Sequence, residues 1–376
     1  MCKRLHLFLQ ALTSAFEFFF EIARVTGIST TLAARTLMTQ GSTVPTLADV
    51  ARQAGVSTAT VSRCLNTPEQ LSETTREKVL QTVQNLGYAP NFNARALAAK
   101  RTNTVGAIIP SMENAIFARG LQAFQEELGL LGMTLLVASS SYCHKLEEQQ
   151  IKALTARGAD ALLLIGHQRS PKIYDFLDKR GVPILVSWNY QKDAKQISIG
   201  FDNKKAITPL AEKVIALGHT NIGFISAPIS ENDRARDRVE GVKSVMEASG
   251  LDPRNLNLFE ISYSIENGEI AFEKLMSSKT PPSVVICGND VFAVGAVKCA
   301  KRLGLTIPND ISITGFDDIE LANVIEPGLT TVHVPHRKMG NMAARMLVDM
   351  IDNKRPTSYE LDTSIIFRGT LGPPRS

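Results

Sequence analysis

The chain has 376 residues, 44% of them apolar and 21% charged, and a formal net charge of +4, the composition of a globular protein with room for two or three domains. Cys2, Cys64, Cys143, Cys287 and Cys299 lack CxxC spacing, which argues against a disulfide scaffold or structural zinc and fits a reducing, cytoplasmic setting without metal or cofactor. No apolar run approaches the ~18–20 residues of a membrane span, so no membrane partner is expected.

Charge is uneven along the chain. Residues 45–103 hold seven Lys/Arg against four Asp/Glu, the first 44 residues add +2, and everything from residue 104 onward sums to −1. A small basic module on a near-neutral body implies an acidic partner for the module alone.

Residues 1–44 read as an N-terminal extension. LFLQALTSAFEFFFEIARV follows Lys3 and Arg4 as an export signal would, but Glu17 and Glu21 interrupt it and no small-residue cleavage site follows. An amphipathic or poorly ordered extension is expected instead.

Residues 45–89 read as three short helices. In TLADVARQAGV, Thr46 is a possible N-cap, and Leu47, Val50, Ala51 and Ala54 share one helical face. Gly55 suits a tight turn, and Ser57 can cap a second helix, roughly Thr58 to Leu65, that buries Val61 and Leu65. LSETTREKVLQTVQNLGY gives a third, with Ser72 as cap, Val79, Leu80, Val83 and Leu86 as its stripe, and Gly87 as stop. Two helices joined by a turn of about four residues, with a third behind, describe a helix-turn-helix domain. A helix entering a major groove must be slim at its leading end. Thr58, Ala59, Thr60 and Ser62 are slim and can meet base edges, thymine methyls or phosphates, while Arg63 has a fork that matches guanine O6 and N7. Thr46, Ser57 and Asn66 complete the candidate contacts of this domain.

Residues 90–103 read as a hinge helix and linker. Pro90 forces its predecessor out of the helical region, and Asn91 can cap a short helix carrying Ala94, Ala96, Leu97 and Ala98. Such a helix is too short to be stable alone. It is expected to order when two copies meet on DNA, with Leu97 wedged between base steps of the minor groove. Asn91, Ala94 and Leu97 are its candidate contacts.

TLADVARQAGVSTATVSRCLN, followed by TREKVLQTVQNLGYAPNFNARALA, resembles the headpiece and hinge of the lactose-repressor family of bacterial transcription regulators. The resemblance implies that Thr58, Ala59 and Arg63 read an operator and that Leu97 kinks it. Cys64 stands where Val is usual in the family and is expected to pack as a small apolar residue.

The body, residues 104–376, alternates apolar runs with helical stretches: VGAIIPS, MTLLVAS, ADALLLIG, VPILVSW, NIGFISA, NLFEI, SVVICGND and ISITGFDD. Unbroken Val/Ile/Leu runs spaced this way are βα units buried on both faces. NTVGAIIPS and HTNIGFISA echo each other, each opening a new series. The expected body is therefore a two-lobed α/β one of doubly wound parallel sheets, with lobe 1 at about 104–200 plus a late crossover segment and lobe 2 at about 202–330 plus the C-terminal segment. Polar residues at strand ends should line a cleft between them. Those ends carry Ser111, Asn114, Phe117, Trp188, Asn189, Arg238, Asn289, Asp290 and Asp317, with Asp318 open to a capping role. Flat rings beside one Arg and several carboxamides and carboxylates suit a polyhydroxylated ligand.

The family resemblance continues to about residue 370, where the body is similar to periplasmic sugar-binding proteins. It implies that Arg238 of RVEGVKSVMEASG and Asp290 of CGNDVFAVGA contact ligand, that Phe117 supplies a ring, and that TTVHVPHRKMG is the last crossover between lobes. After the fourth strand the family commonly has Asp, whereas this chain reads PILVSWNY, leaving Trp188 or Asn189 in that role. NTPEQLSETTR, IGFDNKKA and LGHTNIGFISA look most like the gluconate-repressor branch.

The expected function is a transcriptional regulator, a repressor whose affinity for a roughly palindromic, double-stranded operator answers to a sugar acid such as gluconate or a related sugar. A homodimer is expected, since IIFRGTLGPPRS carries no heptads for further assembly. Two other readings stay open. A sugar receptor would share the body but leave residues 45–103 without a purpose. An enzyme would need a GxGxxG after a strand, a P-loop, an HExxH or a partnered His, and none is present; His219 in LGHTN reads as a surface or capping group.

Overall fold

The computed structural model describes residues 44–89, 101–113 and 115–375. The chain separates into two units, residues 1–92 and 93–376.

In the first unit, α1 (Leu47–Ala54) starts at a complete capping box. The Thr46 hydroxyl accepts from the Asp49 amide, and the Asp49 carboxylate accepts from the Thr46 amide at 2.9 Å, satisfying two of the donors a helix start leaves open. The helix ends at Gly55, whose φ of +64° is the left-handed cap that lets the chain turn at once into α2 (Thr58–Asn66). Ser57 caps α2 through the Thr60 amide at 3.1 Å. A 3-10 turn (Pro68–Gln70) leads to α3 (Glu73–Leu86), which stops at Gly87 with φ +62°. The core is Val50, Ala51, Ala54, Val61, Cys64, Val79 and Tyr88. Two details differ from expectation. Cys64 is the buried neighbour of Val61, its thiol directed at the Arg76 carbonyl at 3.7 Å, whereas Leu65 is only partly covered. Leu80 is 45% exposed, and Thr82 takes its place inside by donating to the Lys78 carbonyl at 2.9 Å. A buried hydroxyl on a helix is tolerated because it returns its proton to its own preceding turn.

The second unit contains two six-stranded sheets. Lobe 1 holds β1 (Thr104–Ile109), β2 (Thr134–Ser139), β3 (Ala161–Ile165), β4 (Ile184–Ser187), β5 (Ser198–Gly200) and β11 (Tyr359–Glu360) in the order β11-β5-β4-β3-β1-β2, all parallel. Lobe 2 holds β6 (Ile222–Ser226), β7 (Asn257–Glu260), β8 (Val284–Cys287), β9 (Ser312–Asp317), β10 (Thr330–His333) and β12 (Ser364–Ile366) in the order β12-β10-β9-β8-β6-β7. Its edge strand β12 runs antiparallel to β10, so this sheet is mixed rather than purely parallel. Strands β1, β3, β6, β8 and β9 are buried along their whole length, which is why the first four are largely apolar in the sequence, whereas β9 alternates apolar residues with buried Ser312 and Thr314.

The crossover helices are α4 (Ala115–Leu130), α5 (His144–Ala156) and α6 (Pro171–Arg180) in lobe 1, and α7 (Asn203–Ala216), α8 (Asp233–Ala248), α9 (Ile265–Met276) and α10 (Asp290–Arg302) in lobe 2. A short α11 (Leu321–Val324) follows β9, and α12 (His336–Ile351) packs on α4. The chain crosses between lobes three times, at residues 201–202, 334–335 and 361–363. TTVHVPHRKMG is therefore the second crossover, not the last; the final one is hidden between two very short strands. Gly120 of α4 and Gly340 of α12 meet so closely that a Cβ at Gly340 would run into the Gly120 carbonyl, while a Cβ at Gly120 would stand 2.7 Å from the Trp188 ring. His219 is fully buried rather than at the surface. Its ring nitrogens lie 2.8 Å from the Ser283 hydroxyl and 2.8 Å from the Gly372 carbonyl, fastening the C-terminal segment to lobe 2.

Candidate DNA-contacting face and interlobe cavity

On α2 the side chains of Thr58, Ala59 and Arg63 are exposed, and those of Thr60 and Ser62 are half-buried. The other candidate contacts of this domain are already engaged within it. Thr46 and Ser57 serve as caps, and Asn66 donates to the Ser62 carbonyl at 2.8 Å. Arg52 is paired with Asp49, and Arg76 lies 3.9 Å from Glu73. Arg63, by contrast, forms no ion pair among the described residues, so its guanidinium stands ready on the slim face. Over 45–89, Arg52, Arg63, Arg76 and Lys78 are balanced by Asp49, Glu69, Glu73 and Glu77. The positive excess of 45–103 therefore belongs to Arg95, Lys100 and Arg101. Asn91, Ala94 and Leu97 lie outside the described residues.

A narrow cavity lies between the lobes. Four of the candidates meet there: Phe117 at the first turn of α4, Trp188 after β4, Arg238 on α8 and Asp317 at the end of β9. All follow C-terminal ends of parallel strands, the edge where open α/β sheets place ligands. Phe117 meets Trp188 edge-on with centroids 5.4 Å apart. Trp188 has φ +59° and Asp317 φ +108°, backbone conformations that bulky or branched side chains rarely hold unless the surroundings impose them.

Arg238 is 4% exposed, with its Cζ 4.5 Å from the centroid of the Phe316 ring. Among the described residues it makes no ion pair, and its Nε is buried without a hydrogen-bond partner. Asp317 is 1% exposed with Oδ2 equally unpartnered. Burial pushes its carboxyl up to about 7, against the opposing pull of Arg238 and Arg234. His336, behind Trp188, is pushed down to about 4 by burial. It is thus a neutral ring whose Nε2 donates to the Asp317 carbonyl at 3.2 Å.

Five other residues at strand ends do not reach the cavity wall. Asp290 is fully buried and accepts from the Ile319 amide at 2.9 Å and the Thr331 hydroxyl at 2.6 Å, tying α10 to the neighbouring strand ends. Asn289 caps α10 through the Phe292 amide at 3.0 Å, and Asn189 donates to Asp233 at 3.0 Å. Ser111 accepts from the Glu113 amide at 3.1 Å. Asp318 is paired with Arg368 at 2.7 Å and lies 2.8 Å from His333 Nδ1. Asn114 lies outside the described residues. In their place the wall has Tyr142, Phe201, Asn203, Asn232, Arg234 and Tyr263. Each follows a strand end or opens a helix, so position alone marked them; what the sequence could not show was direction. Tyr142 and Tyr263 come from opposite lobes, with centroids 5.2 Å apart, and Tyr263 stacks on Phe292 at 5.0 Å.

Residues 46–91 match the family described as bacterial regulatory proteins, lacI family, and residues 211–371 match a periplasmic binding protein-like domain. The chain is 31% identical to catabolite control protein A of Priestia megaterium, over 85% of this chain and 95% of that one. It is 30% identical to the HTH-type transcriptional regulator GntR of Escherichia coli (strain K12), over 88% and 97%. Among solved structures, the lac repressor dimer bound to operator and the anti-inducer ONPF matches with a TM-score of 0.76 and 25% identity, over 87% of this chain and 99% of that one. The chain belongs to the LacI family and is a sequence-specific DNA-binding transcriptional regulator.

Proposed function

We propose that the chain is a repressor that binds a roughly palindromic operator as a homodimer, and that the cavity takes a polyhydroxylated acid, an aldonate such as gluconate. One observation carries the choice of an acid. Arg238 is a buried cation with no ion pair among the described residues, and the two carboxyls that act on it electrostatically, Asp317 and Asp237, are both pushed up by burial towards their neutral forms. A buried charge without a counter-charge is unfavourable by several kcal/mol, and a ligand carboxylate would relieve it. Arg234, the other cation on the wall, is already matched by Asp233 at 3.0 Å. The rings of Phe117, Trp188 and Tyr263 offer apolar faces to the C–H side of a sugar chain, and Asn203 Oδ1, buried without a partner, offers an acceptor to its hydroxyls.

Thr58, Ala59 and Arg63 on each α2 would read the major groove, with the 90–103 segments meeting at the operator centre. Closure of the lobes on ligand would shift DNA affinity by the ligand's differential affinity for the two forms. Isothermal titration of the full chain with gluconate, other aldonates and the matching neutral sugars tests the reading, alongside Arg238→Met. Aldonates are expected to bind at least about tenfold more tightly than neutral sugars, and Arg238→Met to erase that preference. Equal affinity for acids and neutral sugars in the wild type would refute the acid assignment.

A further inference from the structure

Asp233 belongs to lobe 2, at the first residue of α8, yet its carboxylate is gripped largely by lobe 1. Oδ2 accepts from the His167 amide at 2.6 Å, the Gln168 amide at 3.2 Å and Asn189 Nδ2 at 3.0 Å. Oδ1 accepts from the Arg234 amide at 2.9 Å and from Arg234 Nη1 at 3.0 Å. The side chain is 3% exposed.

The lobe-1 loop that supplies these amides is held from behind. Arg169, with 2% of its side chain exposed, donates to the Gly166 carbonyl at 2.6 Å and the Ile165 carbonyl at 3.1 Å. Its remaining donors hold Glu147 at 2.8 and 3.2 Å and the Tyr174 hydroxyl at 3.0 Å. Tyr174 in turn donates to the His167 carbonyl at 3.0 Å. With the carbonyls of 165–167 tied back into lobe 1, the next amides face lobe 2. Gly166 has φ +72°, and a Cβ there would collide with Arg234 and come within 2.5 Å of Asp233. The loop is therefore built for close approach of the two lobes. Gln168 adds Nε2 to the Ser230 carbonyl at 2.7 Å and accepts from Arg236 at 3.0 Å.

We propose that Asp233 is a positioning residue: an interlobe clasp that holds the body closed and, through its other oxygen, sets Arg234 at the cavity wall. The clasp itself is independent of which ligand the cavity takes; only the role of Arg234 rests on the effector reading above. Substituting Asn keeps the shape but not the function. Both carboxylate oxygens face donors only, so either orientation of the amide sets an N–H against an N–H.

Two measurements on the full chain without ligand test the clasp. The first is amide hydrogen exchange of the 165–169 segment. In the wild type the His167 and Gln168 amides are expected to be protected, and Asp233→Asn to lower that protection about ten- to a hundredfold, as loss of charge-assisted hydrogen bonds implies. The second uses Trp188, the single tryptophan, which is 3% exposed at the cavity. Its acrylamide quenching should rise in Asp233→Asn while the melting transition stays cooperative. Glu320→Gln, which breaks the exposed interlobe pair with Arg119, should change either readout by about twofold at most. Unchanged quenching and protection in a folded Asp233→Asn protein would overturn the clasp. If that variant does not fold, the wild type decides: random-coil exchange at His167 and Gln168 overturns the proposal, and strong protection upholds it.

Discussion

Asp317 offers a measurement of how dry the cavity is. Its carboxyl has a reference value of 3.8 and is pushed up to about 7 by burial, so the folded chain holds this proton more tightly than the unfolded one. The stabilising contribution is therefore complete below pH ~3.8 and is lost as pH rises through 7. At 1.36 kcal/mol per pKa unit, the part lost between pH 5 and pH 8 is roughly 2 to 3 kcal/mol. Asp317→Asn is nearly isosteric and cannot titrate. Urea unfolding of both proteins at pH 5 and pH 8 gives a double difference in which the other titrating groups cancel. The difference between variant and wild type is expected to shift in favour of the variant by that amount at pH 8. Equal differences at the two pH values would refute the idea that the cavity desolvates this carboxyl. An aldonate carboxylate drawn to Arg238 offsets the pull of that cation on Asp317 and disfavours its ionised form, so binding near pH 7 should take up a proton, visible by calorimetry in buffers of different ionisation enthalpy.

Arg63→Ala is expected to lose about 1–3 kcal/mol of operator discrimination per half-site, read by gel shift against scrambled DNA at one salt concentration; equal weakening on both DNAs would assign Arg63 to a phosphate instead. Gly120→Ala places a Cβ 2.7 and 2.8 Å from two Trp188 ring atoms and should cost about 1–3 kcal/mol with a change in tryptophan emission. An unchanged urea midpoint would mean that the ring has room to move. Thr46→Ala dismantles the capping box and should remove ~1 kcal/mol from the first unit, accelerating amide exchange across α1 roughly fivefold. It should weaken operator and non-operator DNA alike.

Most of the long strands were legible because burial on both faces makes them rich in Val, Ile and Leu. Strands β5, β10, β11 and β12 were not, since Ser198–Gly200, Thr330–His333, Tyr359–Glu360 and Ser364–Ile366 are two to four residues long and carry polar groups. They exist only because a neighbouring strand is already there to pair with. Within the candidate site, Phe117, Trp188, Arg238 and Asp317 were legible as large or charged residues just beyond strand ends. Asn189, Asn289 and Asp290 occupy equivalent places but turn inward to close the fold's own hydrogen bonds. Residue type and strand position are written in the sequence, whereas the choice between serving the backbone and serving a ligand is made by tertiary contacts. Leu80 is a similar case, because a helix stripe drawn from spacing alone cannot say where the opposing core ends.

The three backbone crossings between the lobes also govern how the body can move. One tether would leave a ball joint, and two would leave a swing about the line that joins them. Here β5 lies beside β11 at one sheet edge and β10 beside β12 at the other, so the three tethers run side by side and the third stiffens that same axis. The body then behaves as a door on a wide hinge, with twisting and sliding suppressed and a single opening angle left free. Every cavity occupant, whatever its chemistry, is reduced to its effect on that one coordinate. Chemically unlike ligands can thus differ in how strongly they drive the door, and in which direction, but not in the kind of motion they produce.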